Sequence, residues 1–143
     1  MNREFESNKM ADEDIFANAY HSFVAALKLL ASDATTQCMR MGHFNVAWEL
    51  KNDVSRSARM LELPGCTLTQ EEKDAIMQIV IALDDVPHSL LVSSTTETEC
   101  MQAMVHPSWR PLRTRATQLL TLLSATTRRN EEYFRMSSDP REF

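Results

Sequence analysis

The chain has 143 residues, a formal net charge of −5 and 43% apolar residues, which suits one domain with a hydrophobic core. Glycine is scarce, at 2 residues, and unbranched side chains are common, so the composition favours helix. No apolar run approaches the ~20 residues that span a bilayer. The first residues, MNREFESNKMADED, are polar and acidic, so we expect no signal peptide there. We therefore expect a cytoplasmic protein that is not inserted in a membrane.

Three parts are expected along the chain. Residues 1–11 lack apolar periodicity and are predicted to be a flexible N-terminus. Residues 12–136 are predicted to form a single helical domain. Residues 137–143 are predicted to be a flexible tail.

Apolar residues at spacings of three and four predict the first helix over 13–41. Its stripe contains Ile15, Phe16, Ala19, Tyr20, Phe23, Leu27 and Leu30. The pattern weakens after Leu30, and a break at Ser32-Asp33 is the alternative to one continuous helix. Gly42 is a plausible stop, because glycine readily adopts the left-handed conformation that ends many helices.

A second helix is predicted over 46–63, antiparallel to the first. Asn45 is a candidate N-cap, since its side chain can accept a hydrogen bond from a free backbone amide. Apolar residues continue at helical spacing from Val46 to Leu61. Pro64-Gly65 ends the helix.

The third helix is predicted over 70–92 and begins at the clearest boundary in the chain. In the sequence TQEE, the hydroxyl of Thr69 and the carboxylate of Glu72 can each accept from the other residue's backbone amide, which is a capping box. The apolar period continues on both sides of Pro87, so we expect a helix that is kinked there. The alternative is a stop, with Asp84 or Asp85 capping a second segment.

A short helix near 97–105 and a long helix over 109–135 complete the prediction. Thr96 with Glu99 is a second candidate capping box, and Ser108 is a candidate N-cap. Four long amphipathic helices with short connections predict an antiparallel four-helix bundle.

The sequence DDVPH, residues 84–88, combines two carboxylates with an imidazole. Such groups bind metals or transfer protons when neighbouring helices supply further ligands. No second motif of this kind occurs, and Glu-x-x-His, which marks di-iron bundles, is absent. We therefore predict that Asp84, Asp85 and His88 are solvated polar groups. We expect no catalytic residue, no metal and no cofactor.

The alternative to a non-catalytic protein is a bundle that binds a small molecule or a nucleotide, with metal-dependent hydrolysis as one form of it. This alternative requires a cluster of polar side chains that point inward. Its members would be Glu49, Asp53, Asp84, Asp85 and His88.

The 3 cysteines, Cys38, Cys66 and Cys100, are odd in number and form no CxxC pair. This pattern predicts free thiols in a reducing compartment. A nucleophilic cysteine needs a nearby base, and none of the three has a histidine partner close in sequence.

Charge is distributed unevenly along the chain. Residues 105–143 contain 7 arginines and 4 acidic residues, whereas the rest of the chain is acidic. We expect the basic segment to pack beside acidic helices, and an arginine-lined surface for an anionic partner is the alternative. Nucleic acid is disfavoured as a partner because the acidic remainder would repel phosphate.

Six residues are candidates for contact with a partner protein. They are Trp48, Met101, Met104, Trp109, Arg110 and Arg113. Tryptophan and arginine contribute strongly to many interfaces, and methionine adapts to varied surfaces. The alternative is that the two tryptophans and the apolar edge over 99–109 cover the helical core.

Together these features predict a small acidic protein–protein interaction module that is not an enzyme, such as an inhibitor, an immunity factor, an adaptor or a chaperone. The partner is either another protein or a second copy of the chain. If the partner is a second copy, we expect a homodimer, because helical domains often extend their core across a two-fold axis.

Overall fold

The computed structural model of the chain describes residues 11–92 and 95–137. Within these ranges the regular structure is entirely helical, so the all-α prediction is confirmed. The α-helices are α1 (Asp12–Ala31), α2 (Ala34–Arg40), α3 (Val46–Ser57), α4 (Gln70–Leu83), α5 (Glu97–Met104), α6 (Trp109–Leu122) and α7 (Ser124–Ser137). Two 3-10 segments, Ala58–Glu62 and His88–Leu91, follow α3 and α4. The expected flexible termini, 1–11 and 137–143, lie almost entirely outside the described residues.

Because seven α-helices occupy the described ranges, the predicted four-helix layout is not confirmed. The core is enclosed by four of them, since α1 contacts α3 and α6, and α4 contacts the same two helices. The short helices α2 and α5 pack on each other, and α7 packs on α1. The largest fully buried side chains are Trp109, Tyr20, Phe23, Leu27, Leu30, Leu50, Met60, Ile76, Ile79, Leu83, Met104 and Leu123.

The first predicted helix, 13–41, breaks at Ser32-Asp33, which is the alternative that the sequence left open. The Ser32 hydroxyl donates to the carbonyl of Lys28 at 2.9 Å, at the end of α1. The Asp33 carboxylate then accepts from the backbone amide of Thr36 at 2.8 Å and caps α2. This backbone hydrogen bond also holds the pKa of Asp33 below its ordinary value. A capping side chain therefore outweighs the apolar periodicity here.

Both predicted capping boxes are formed. At the start of α4, the Thr69 hydroxyl accepts from the Glu72 amide at 3.1 Å and Glu72 accepts from the Thr69 amide at 2.9 Å. At the start of α5, Glu99 accepts from the backbone amides of Thr95 and Thr96, and these bonds lower its pKa. Two single-residue caps were predicted as well, at positions 45 and 108, and neither side chain makes a capping hydrogen bond.

The third predicted helix, 70–92, stops instead of bending. Its regular part ends at Leu83, four residues before Pro87. In a continuous helix the proline ring would clash with the carbonyl four residues back, and here the helix ends before that clash arises. The prediction of a continuous helix that is kinked at Pro87 is therefore wrong. Pro87 itself occupies the N-cap position of the 3-10 segment His88–Leu91. The capping role suggested for the two aspartates is therefore also wrong.

The second and fourth predicted helices, 46–63 and 109–135, are each divided. The second changes from α to 3-10 geometry at Ala58. The fourth divides at Leu123, whose side chain is fully buried. Beyond it, α7 is held against α1 by hydrogen bonds that join residues more than a hundred positions apart: the Tyr20 and Thr127 hydroxyls lie 2.7 Å apart, and the Asn130 amide donates to the Ala17 carbonyl at 3.1 Å.

Candidate interaction surface

The turn between α2 and α3 presents two large aromatic side chains to solvent. Phe44 is 55% exposed, and Trp48, in the first turn of α3, is 43% exposed. Met39, at the end of α2, is 65% exposed. Aromatic side chains are enriched in protein interfaces and contribute strongly to the binding energy. We call Phe44 and Trp48 the turn aromatics.

The backbone that carries the turn aromatics is unusual. Gly42, His43 and Asn45 have φ values of 78°, 60° and 54°, in the left-handed region, which non-glycine residues rarely adopt. The amide of His43 donates to the carbonyl of Cys38 at 2.9 Å, which ties the turn to α2. The Asn45 side-chain oxygen is buried and has no hydrogen-bond partner. Strained backbone of this kind is concentrated at functional sites in proteins.

Only part of the predicted contact set lies at the surface. Trp48 and Arg110 are exposed, and Met101 is half-buried. Met104 and Trp109 have no exposed surface, since both side chains lie in the core. The sequence pattern missed Phe44, although its position two residues after the predicted helix stop at Gly42 indicates a surface turn.

Arg113 serves an internal role. One of its terminal nitrogens donates to the Gln37 side-chain oxygen at 2.8 Å and to the Met104 carbonyl at 2.6 Å. Gln37 is fully buried and donates in turn to the carbonyls of Leu29 and Leu30 at 3.1 and 3.0 Å. Desolvation lowers the pKa of Arg113. This network joins α1, α2, α5 and α6, and no sequence signal predicted it.

Cys38 and Cys100 form a disulfide that joins α2 to α5. Their Cα atoms are 6.3 Å apart, within the usual range for a disulfide, and both side chains are buried. Cys66 is free. The prediction of three free thiols is therefore wrong for two of them. The two cysteines are 62 residues apart in sequence, so only the packing of α2 against α5 brings them together.

The DDVPH stretch lies at the surface. Asp84, Asp85 and His88 are all exposed. Asp84 forms an ion pair with Lys51, whose nitrogen is 3.5 Å from the carboxylate oxygen. A pair this exposed contributes little to stability. The prediction that these three residues are solvated polar groups is confirmed.

The cluster of inward-pointing polar side chains is not formed. The alternative of a bundle that binds a small molecule or a nucleotide required this cluster. Four of its five members are exposed, and Glu49 is half-buried on α3. Within residues 11–92 and 95–137, no group of three or more histidine, cysteine, aspartate or glutamate side chains is placed to hold a metal ion.

A different carboxylate, Glu72, is buried and connects distant helices. Its two oxygens accept from the Thr126 hydroxyl at 2.6 Å and from the Thr69 amide at 2.9 Å. Arg129 donates to the Thr126 hydroxyl at 3.0 Å. Burial by itself would raise the pKa of Glu72, but these hydrogen bonds and the positive charge of Arg129 outweigh it and lower the pKa. Sequence reasoning found the capping role of Glu72 and missed its link to α7.

No family model matches the chain, and no curated protein or solved structure is significantly similar to it. Among the helices within the described ranges, none combines the length and the apolar character needed to cross a membrane.

Proposed function

We propose that this protein is a non-catalytic module that binds another protein through the turn aromatics, Phe44 and Trp48. The observation that carries the proposal is that these two large aromatic side chains are about half exposed on a backbone with three left-handed residues. An aromatic side chain on a rigid support loses little conformational entropy when it is buried by a partner. The turn is therefore suited to act as an anchor.

The disulfide and its surroundings support the same role. The turn follows directly after α2, which is held to α5 by the Cys38–Cys100 bond and to α6 by the Gln37–Arg113 hydrogen bond. A helix of seven residues is not stable by itself, so these two cross-links hold the support of the turn in place.

The Cys38–Cys100 disulfide also bears on the cellular compartment of the protein. Disulfides persist mainly in oxidising environments, so the bond weighs against the cytoplasmic location expected from the sequence. Alkylation of free thiols in denaturant during lysis of the native host, before any reductant is added, tests this point, because buried cysteines at positions 38 and 100 would not react in the folded chain even as thiols. We expect one modified cysteine per chain, and three modified cysteines would support the cytoplasmic location.

The binding site is tested by site-specific crosslinking in the native host. A photoreactive phenylalanine analogue at position 44 is expected to capture a defined protein, and the same analogue at the exposed position of Val92 serves as a control. The double variant Phe44→Ser, Trp48→Ser is then compared with wild type in affinity purification. Recovery of the crosslinked protein should fall at least about 10-fold, because truncation of a hot-spot aromatic side chain costs about 2 kcal/mol or more. Equal recovery with both chains would contradict the proposal.

A further inference from the structure

We propose that the face formed by α4 and α6 is a homodimer surface, along which α4 of a second copy lies antiparallel to α4 of the first. This inference concerns a different surface from the turn aromatics and does not depend on the proposed function. It rests on an exposed apolar face and on the positions of two charges of opposite sign.

The face combines a groove with exposed apolar side chains. The groove has a volume of about 300 Å³, and its lining includes Ile79 of α4 and Leu119 of α6. On α4, Met77 and Ile81 are 44% and 61% exposed, and Leu122 of α6, which also lines the groove, is 39% exposed. Met77 and Ile81 are four residues apart, so they lie on the same side of α4. Large apolar side chains exposed on adjacent helices are a feature of protein contact sites.

The relative direction of the two helices follows from one hydrogen bond. Glu72, near the start of α4, binds Thr126, which lies four residues beyond the end of α6. The start of α4 is therefore next to the end of α6, and the helices run antiparallel. Asp74 borders the groove at this end, and Arg115 borders it nearer the start of α6.

The two charges are separated along the groove. Helices rise about 1.5 Å per residue, so Arg115 lies close to the level of Ala82, about 12 Å from Asp74. Asp74 accepts a hydrogen bond from the neutral Gln70 amide at 2.8 Å. In the part of the chain that the structure describes, the Lys51–Asp84 contact is the one ion pair, so Asp74 and Arg115 are both free to pair with another chain.

A two-fold axis brings the opposite charges together. If α4 packs antiparallel to α4 of a second copy about an axis near Gln78, residue 74 of each copy lies beside residue 82 of the other. Arg115 lies at that level, so Asp74 of each copy faces the second copy's Arg115. The same axis places Met77 and Ile81 of both copies in the centre of the contact. Each favourable contact is then made twice, as in other two-fold interfaces.

Charge reversal tests the pairing by sedimentation velocity over a concentration series. Asp74→Arg alone and Arg115→Asp alone should each weaken the wild-type dimer roughly 10-fold or more, because they place like charges opposite each other. The double variant Asp74→Arg, Arg115→Asp should recover dimerisation, because the opposite charges face each other again. Asp53→Arg and Arg110→Asp, which reverse exposed charges outside the groove, are the matched controls. Circular dichroism should show that all variants remain folded.

Apolar variants test the position of the contact. Ile81→Asp should make the protein monomeric, whereas Val105→Asp, which changes an exposed valine directly after the end of α5, should not. The proposal is overturned if the wild type is monomeric at the highest soluble concentration. This holds even if the α4–α6 face of that monomer binds a different protein. It is also overturned if the double charge variant stays monomeric, or if Phe44→Ser, Trp48→Ser abolishes the dimer.

Discussion

The Glu72 carboxylate and the Thr126 hydroxyl are 2.6 Å apart, although 54 positions separate them in the sequence. The hydrogen bond joins the first turn of α4 to the first turn of α7, and the side chains of both residues are buried. The same carboxylate caps α4 through Thr69. One side chain therefore satisfies a local requirement of its own helix and a distant contact between two helices.

Replacement of Glu72 by glutamine should lower the free energy of unfolding by about 1–3 kcal/mol at pH 7, because a neutral amide is a weaker acceptor and introduces a donor among buried donors. Urea unfolding followed by circular dichroism measures the difference. The control is Glu71→Gln, which changes an exposed neighbour on the same helix. The free energy of unfolding of this control should stay within about 0.5 kcal/mol of the wild-type value.

The same pair predicts a dependence on pH. Since the pKa of Glu72 is lowered in the folded state, its ionised form stabilises the fold above the ordinary carboxyl pKa of about 4.3. This contribution is lost as the pH falls through the lowered pKa. The stability difference between wild type and Glu72→Gln should therefore narrow below about pH 4. A difference that stays constant from pH 7 to pH 3 would contradict this account.

The Cys38–Cys100 disulfide should make a large contribution to stability. It closes a loop across 62 residues, and the loss of chain entropy in the unfolded state corresponds to about 4 kcal/mol for a loop of that length. Thermal unfolding of the double variant Cys38→Ala, Cys100→Ala should show this loss, whereas Cys66→Ala should change little. In denaturant without reductant, one thiol per chain should react with an alkylating agent, and three should react after reduction. Three reactive thiols before reduction would show that the bond is not formed.

The two glycines should respond differently to substitution. A Cβ atom at Gly65 would overlap the backbone carbonyl of Asp12, whereas a Cβ at Gly42 has free space but requires a left-handed backbone. Gly65→Ala should lower the free energy of unfolding by about 1–3 kcal/mol, because backbone must move to make room. Gly42→Ala should cost about 1 kcal/mol through strain.

Asparagine separates the two causes in the same denaturant measurement. Asparagine tolerates the left-handed region better than alanine does, so Gly42→Asn should be more stable than Gly42→Ala. Gly65→Asn should be no better than Gly65→Ala, because steric overlap remains. If asparagine rescues both positions equally, steric overlap at Gly65 is not the cause.

The Gln37–Arg113 hydrogen bond should show energetic coupling. Gln37→Ala removes the buried acceptor and leaves the half-buried guanidinium without one of its partners, so we expect a loss of roughly 2–4 kcal/mol. A double-mutant cycle with Arg113→Ala isolates the pair. The loss of unfolding free energy in the double variant should be smaller than the sum of the two single losses by about 1 kcal/mol or more. Losses that add fully would show that the two side chains stabilise the protein independently.

The local signals in the sequence identified the helix boundaries well where a side chain caps its own backbone. Thr69 with Glu72, and Thr96 with Glu99, form the predicted capping boxes because both partners are three residues apart. Periodicity was less reliable for continuity. It continued across Asp33 and Pro87, although the chain breaks near both, because residues on either side of a break can still face one core.

The surface was harder to predict than the helices. Trp48 and Trp109 each lie in the first turn of a helix, yet one is 43% exposed and the other is fully buried. The difference depends on which helices pack beside each tryptophan. Arg113 and Arg110 differ in the same way, since packing brings Gln37 next to only the first.

The amino-acid sequence by itself determined the helical class, the positions of the capping boxes and the solvated character of Asp84, Asp85 and His88. These properties depend on neighbours within about four residues, which the sequence places at known distances. The tertiary structure alone decided the Cys38–Cys100 bond, the links from Glu72 to Thr126 and from Gln37 to Arg113, and the exposure of the turn aromatics. Each of these depends on helices that are distant in sequence, and their packing is set by the combined shape of the whole core.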